Sequence, residues 1–207
     1  MPIDQQLTKA LNENNILISD QQINQLTDYL ALLNKWNRTF NLTAIRNEQE
    51  QIYKHIVDSL SIAPFINGQT IFDVGTGPGL PGIPLAIKFP EKHFVLIDSN
   101  IKKTNFLQQA KTSLALNNIE IIHDRVEAIK EKQADIIVSR AFSTISDFLH
   151  QTESLLAPGG KWLAMKGTRP DQEINAVEQD FCVEGVRELR VCGLNATRHL
   201  IIIAPLT

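Results

Sequence analysis

The segment Ile71–Phe72–Asp73–Val74–Gly75–Thr76–Gly77–Pro78–Gly79 constrains the fold of this chain more than any other. Apolar residues around one carboxylate run directly into alternating glycines. This reads as a buried strand ending in a tight loop whose backbone can approach a ligand closely. The apolar run Ile83–Pro84–Leu85–Ala86–Ile87 reads as a helix whose N-terminal amides and dipole point back at the loop. Strand, glycine loop and helix, in that order, form the nucleotide-cofactor arrangement of open α/β sheets. A structural glycine turn without a ligand is the plainer alternative.

The loop itself discriminates between cofactors. Gly77–Pro78–Gly79–Leu80–Pro81–Gly82 satisfies the dinucleotide pattern G-x-G-x-x-G. In that pattern, however, the first glycine directly follows the strand, and here that glycine is Gly75. Pro78 and Pro81 remove amide donors that a pyrophosphate would use. Asp73 would repel a pyrophosphate but favours a ligand with a cationic amino group and a sulfonium, and S-adenosylmethionine is such a ligand. Asp73, Gly75, Thr76, Gly77, Gly79 and Leu80 are therefore the candidate cofactor residues of the loop. A second apolar run, His93–Asp98, also ends in a carboxylate. It begins roughly 20 residues after the loop, where an acidic residue contacts ribose hydroxyls in such folds. Asp98 or Ser99 could equally cap the helix that opens near Asn100.

From about Thr70 onward, strand and helix patterns alternate. Strands are expected at Thr70–Val74, Phe94–Asp98, Ile119–His123, Asp135–Ser139 and Lys161–Lys166, with helices at Lys102–Leu116 and Ile145–Leu155. Repeated β-α units imply a parallel sheet covered on both faces. Phe181–Leu189 and Arg198–Ala204 have no room between them for a crossover helix and should pair as an antiparallel hairpin. Residues 1–65 read as a helical extension packed on an α/β unit of residues 66–207. Within the extension, Ile23, Leu26, Leu30 and Leu33 repeat at helical spacing after a start at Ser19–Asp20, and a second helix covers roughly Glu48 to Leu60.

Ligands of open α/β sheets bind outside the carboxyl ends of the parallel strands. That edge gathers Asp73 and the glycine loop, Asp98 and Ser99, Arg125 with Val126 and Glu127, Ser139 and Arg140, Lys166, and Arg198 with His199 at the start of the antiparallel strand. Lys102 and Lys103 open a helix there, although a helix dipole disfavours first-turn lysines. A phosphate backbone would account for them; two solvated surface lysines would account for them as well. Lys102, Lys103, Lys166 and Arg198 are the candidate RNA contacts. Lys35–Trp36–Asn37–Arg38–Thr39–Phe40 mixes basic and aromatic residues, which can stack on bases, although a Trp at helical spacing is more often core. His55 and Asp58 stand three apart and could pair, but no third partner suggests a nucleophile or metal site, and His55 reads as structural.

These residues resemble the bacterial ribosomal small-subunit methyltransferase G family, also called glucose-inhibited division protein B. The resemblance rests on Asp73–Leu85, supported by Lys35–Trp36–Asn37, Asn41–Leu42–Thr43, His55–Ile56–Val57–Asp58–Ser59, Arg125–Val126–Glu127, Ser139–Arg140–Ala141–Phe142, Lys166–Gly167 and Arg198–His199–Leu200, in family order over nearly the whole chain. It implies a class I S-adenosylmethionine-dependent methyltransferase (Rossmann-like) with a seven-stranded sheet in the order 3-2-1-4-5-7-6, strand 7 antiparallel. It implies methyl transfer from S-adenosylmethionine to N7 of one guanine in 16S rRNA. It also implies that the strand-four loop faces the transferring methyl, which makes Arg140 the catalytic candidate. From the residues alone Arg140 could hold guanine O6 or a phosphate; the resemblance favours a cofactor contact, alongside Val126 and Glu127.

Bulk properties fit less directly. A net charge of −3 is low for a nucleic-acid binder, so positive charge must be concentrated locally. No apolar run reaches the roughly 18 residues needed to span a bilayer. The N-terminus lacks a signal-peptide pattern, and Cys182 and Cys192 are too few for a disulfide framework or a zinc site. A cytoplasmic monomer acting on 16S rRNA or on a small-subunit assembly particle, with no metal and no membrane, is expected. A small-molecule methyltransferase, a nucleotide-binding oxidoreductase and a non-catalytic RNA-binding assembly protein are the competing readings.

Overall fold

A computed structural model describes residues 1–142, 144–177 and 180–206. Two helices, α1 (Ile3–Glu13) and α2 (Asp20–Phe40), open the chain. A third helical rod follows, made of α3 (Glu48–Gln51), a π-helical turn (Ile52–Val57) and α4 (Asp58–Leu60). Then come β1 (Thr70–Val74), α5 (Gly82–Lys88), β2 (His93–Asp98), α6 (Ile101–Ser113), β3 (Ile119–His123), β4 (Ala134–Ser139), α7 (Ile145–Thr152), β5 (Leu156–Lys166), α8 (Asp171–Asn175), β6 (Phe181–Glu188) and β7 (His199–Pro205). The seven strands form one sheet in the order β3-β2-β1-β4-β5-β7-β6. β1 through β5 are mutually parallel, and β7 runs antiparallel to both β5 and β6.

Alternation along the strands divides the core. Ile71, Phe94, Leu96, Ile136, Val138 and Leu163 face one layer, which contains α1, α2, the third rod, α5 and α6. Their neighbours Phe72, Val74, Val95, Ile97, Ile137 and Trp162 face α7 on the other side. Parallel strands buried on both faces carry apolar side chains in both directions, and that explains their unbroken hydrophobic runs. Residues 1–65 contribute Leu7, Leu11, Leu26, Leu30, Leu33, Ile52, Ile56 and Leu60 to the same cluster as the sheet.

Local chemistry sets the element ends. Ser19 and Gln22 form a reciprocal capping box at the start of α2. Asn100, not Asp98 or Ser99, caps α6: its side chain accepts from the Lys102 amide at 2.9 Å. The Asp98 carboxylate instead accepts from the Asn100 amide, also at 2.9 Å.

One contact ties the N-terminal helices to the glycine loop. Tyr29 of α2 is fully buried and donates its hydroxyl to the Pro78 carbonyl at 2.8 Å. Its ring packs on Phe106 of α6 with centroids 6.2 Å apart. Burial pushes the Tyr29 phenol well above its usual range, so it remains a donor. Tyr29→Phe keeps the ring and strands the Pro78 carbonyl. We expect a stability loss of about 1 kcal/mol, seen as a drop of roughly 2–4 °C in the thermal unfolding midpoint.

Candidate active site

The glycine loop leaves β1 with three left-handed residues: Gly75 at φ +67°, Gly77 at +62° and Gly79 at +93°. The amides of Gly75 and Thr76 both donate to the Ile97 carbonyl, at 2.9 and 3.1 Å. Asp73 is fully buried beneath the loop. Its Oδ2 accepts from the Thr76 hydroxyl at 2.6 Å and from the Gly82 amide at 2.7 Å. Its Oδ1 has no hydrogen-bond partner among the described residues. Burial pushes this carboxyl up to about 6, against the pull of the Thr76 and Gly82 hydrogen bonds. Two glycines are required for different reasons. A Cβ on Gly79 would strike the Ile83 side chain at 2.5 Å, whereas a Cβ on Gly77 would meet nothing within 4 Å and project into open space.

Asp98 closes the other side of the loop. Its Oδ2 accepts from the Gly77 amide at 2.9 Å and from Lys103 Nζ at 3.3 Å. Beside it opens a cavity of about 440 Å³ lined by Gly75, Asp98, Ser99, Val126, Glu127 and Phe142, among others. Of the expected cofactor residues of the loop, Gly75 lines this cavity, whereas Asp73, Thr76, Gly77, Gly79 and Leu80 do not; Asp73, Thr76 and Leu80 are buried.

The loop after β4 separates this cavity from a second one. Ala141 and Phe142 face the first, and Arg140 faces a cavity of about 300 Å³ whose lining includes Lys54, Asp58, Lys166, Arg198 and His199. Asp58 is the pivot of the second cavity. Its Oδ2 accepts from Arg140 Nη1 at 2.9 Å and its Oδ1 from Arg198 Nε at 2.9 Å. Arg140 also donates to the Lys54 carbonyl at 3.3 Å. Lys166 pairs with Glu173 at 2.9 Å. Lys102 is exposed on the first turn of α6.

His55 and Asp58 do not pair. The turn between them is π-helical, and His55 Nε2 meets the Thr43 hydroxyl at 2.9 Å instead. Burial and the Arg140 charge push His55 down to about 4, so it is neutral at physiological pH. The bridging role of Asp58, the Tyr29 contact and Glu173 escape a sequence reading. Only Asp58 carries a local signal, and that signal points to the wrong partner. Among the described residues no group of His, Cys, Asp or Glu could hold a metal ion, and no helix is long and apolar enough to cross a membrane.

Sheet order, glycine loop and the carboxylate that ends β2 together define a class I S-adenosylmethionine-dependent methyltransferase. Solved structures of that class superpose on this fold. The glycopeptide N-methyltransferase MtfA complexed with S-adenosyl-L-methionine aligns with a TM-score of 0.63 at 11% identity, covering 74% of this chain and 88% of that one. The ribosomal protein L11 methylase of Lactobacillus delbrueckii subsp. bulgaricus aligns with a TM-score of 0.57 at 17% identity, covering 78% and 80%. The chain belongs to the rRNA small subunit methyltransferase G family (GidB), which matches residues 22–201. Relatives named ribosomal RNA small subunit methyltransferase G include that of Neisseria meningitidis serogroup B, 48% identical over 188 residues, 90% of this chain and 91% of that protein. That of Laribacter hongkongensis is 46% identical over 202 residues, covering 97% and 98%.

Two outcomes are expected of the loop. Gly77→Ala puts a methyl into the open space above a left-handed residue, and cofactor affinity by calorimetry should fall at least tenfold, or about 1.4 kcal/mol. Asp73 has a folded-state pKa of about 6 against an ordinary value of 3.8. Its contribution to stability is therefore fully present below the unfolded value and is lost as pH rises through the folded one. Relative to Asp73→Asn, the wild-type protein should lose on the order of 3 kcal/mol between roughly pH 4 and pH 7, measured by denaturant titration.

Proposed function

We propose that this chain transfers the methyl group of S-adenosylmethionine to N7 of a guanine in 16S rRNA, with the cofactor in the larger cavity and the target nucleotide in the smaller one. Methylation of small-subunit rRNA follows from the family; the position on the base and the roles of the residues are our reading. The observation that carries it is the pairing of two unlike cavities across one short loop. The larger offers carboxylates at Asp98 and Glu127, which suit ribose hydroxyls, and apolar surface at Val126 and Phe142, which suits a purine ring. Gly77 leaves space for the methionine end, and Asp73 supplies negative potential beneath it. Gly75, Thr76, Gly77, Gly79, Leu80 and Ser99 complete the cofactor site. The smaller cavity presents Lys54, Arg140, Lys166 and Arg198 around Asp58, with Lys54 and Lys166 held by Glu50 and Glu173, a lining that suits a phosphodiester.

When bound, the cofactor supplies an electrophilic methyl on a sulfonium. Guanine N7 has an available lone pair and no proton to lose, so the chain needs no general base. His55, the histidine nearest Arg140 on the third rod, is neutral and occupied by Thr43. Arg140 serves to position the reactants through its planar, multiply donating guanidinium. Proximity and in-line alignment then carry the rate. Lys102, Lys103, Lys166 and Arg198 contact RNA phosphates by exchanging internal carboxylate partners where they have them. The protein acts as a cytoplasmic monomer on 16S rRNA or on an assembling small subunit.

Tritiated-methyl transfer to RNA from cells lacking this protein, followed by nucleoside analysis, should give 7-methylguanosine in 16S rRNA. Label in a different nucleoside overturns the reading. Arg140→Ala should lower single-turnover rates by on the order of a hundredfold or more. The wild-type rate should show no ionisation of an enzyme base near neutral pH.

A further inference from the structure

Lys35–Phe40, at the C-terminal end of α2, lines neither cavity. Phe40 is nevertheless partly open to solvent. It is 38% exposed, and Ile101 at the start of α6 is 51% exposed. The Phe40 ring is backed by Trp36 at 5.2 Å with the planes 36° apart. Trp36 in turn meets Phe106 of α6 edge-on at 5.8 Å. An aromatic ladder thus runs from the buried core to an exposed face.

Two contacts fix the direction of α2 against α6. Gln25 Nε2, near the start of α2, donates to the carbonyl of Leu114, just past the end of α6. Trp36, near the end of α2, meets Phe106, closer to the start of α6. The helices therefore run antiparallel. Phe40, one turn beyond Trp36, extends toward the first turn of α6, where Lys103 reaches Asp98 at the rim of the larger cavity.

Charge at this place opposes that of the whole molecule. The chain carries −3 overall, yet residues 29–45 contain no Asp or Glu, nor do residues 101–113. Lys35, Arg38, Lys102 and Lys103 supply cations there, and the first three are exposed. Lys103 is held by Asp98, which leaves Lys35, Arg38 and Lys102 as the exposed cations beside Phe40. Exposed aromatic surface with cations near it is the chemistry of a single-stranded nucleic-acid platform, in which rings stack on bases and cations follow the phosphates.

We propose that the C-terminal turn of α2 and the first turn of α6 form a docking platform for an unpaired segment of the substrate RNA beside the target guanine. Phe40 stacks on a base, and Lys35, Arg38 and Lys102 contact flanking phosphates. The proposal rests on the reading that RNA is the substrate.

The test uses the full-length protein, a short unpaired RNA oligonucleotide of mixed sequence and intact 16S rRNA. Phe40→Ala should weaken oligonucleotide binding, read by fluorescence anisotropy, about tenfold, and Phe40→Tyr should restore it. Lys35→Ala with Arg38→Ala should flatten the dependence of log affinity on log salt by roughly 0.7 for each phosphate that is no longer neutralised. Cofactor affinity and the unfolding midpoint should stay within twofold and within about 2 °C of wild type, a window that corresponds to less than about 1 kcal/mol. Unchanged affinity and salt slope in these folded variants overturns the platform while leaving the methyl-transfer reading intact, provided that wild type still produces 7-methylguanosine. A defect seen only on ribosomal particles, with naked RNA bound normally, points to a protein partner and also overturns it. If wild type neither binds nor methylates rRNA, the substrate reading fails and the platform fails with it.

Discussion

A single carboxylate oxygen holds the glycine loop of the candidate site in shape. Asp73 Oδ2 receives both the Thr76 hydroxyl and the Gly82 amide, so the two ends of the glycine loop are anchored to one buried atom. Burying that charge is costly, and the elevated Asp73 pKa registers the cost. In return the loop needs no ligand to define its path. Asp98 fixes its middle through the Gly77 amide, and Tyr29 fixes its outer side through the Pro78 carbonyl. A loop restrained from three directions loses little freedom when it binds, so less of the binding energy goes into ordering.

The N-terminal helices do more than cover the sheet. Asp58, in the third rod, lies 82 residues from Arg140 and 140 residues from Arg198, yet it bonds both. It joins the loop after β4 to the start of β7. Those two segments come from different parts of the β-α alternation and would otherwise meet only through the sheet. Two arginines on separate elements repel each other, and a shared carboxylate between them lets both occupy one small cavity. The rod therefore sets the electrostatics of a surface that the sheet alone would leave incomplete.

The sheet is largely legible in the chain. Thr70–Val74 and Ile119–His123 match their expected bounds, and the other strands shift by one residue at one or both ends, except β5, which begins at Leu156 and not at the expected Lys161. Strands buried on both faces announce themselves as apolar runs. The hairpin is legible from the shortness of its connection. The loop's glycines and its two carboxylates are legible because a strand end, a left-handed turn and an acid each have local signatures. What fails to show is long-range pairing. Asp58 reads as a partner for His55 only under α-helical spacing, and the π-helical turn breaks that spacing. Lys103 reads as a bare first-turn cation because its partner, Asp98, precedes the helix. Lys166 and Glu173 meet across a turn with no recognisable pattern.

Most cations at this edge are already satisfied from within: Lys103 by Asp98, Arg140 and Arg198 by Asp58, Lys166 by Glu173. An arriving phosphate does not fill a positive vacancy; it must compete with a resident carboxylate. Binding becomes an exchange of anions, in which each step releases an internal acid to solvent or to another cation. A mononucleotide offers one phosphate group and gains little from such an exchange. A chain offers many at fixed spacing, and after the first exchange the others proceed at high effective concentration. If RNA phosphates dock at this edge as proposed, the internal ion pairs act as a length filter. Such a filter would keep an acidic protein from collecting free nucleotides and reserve the basic groups of this edge for a polymer.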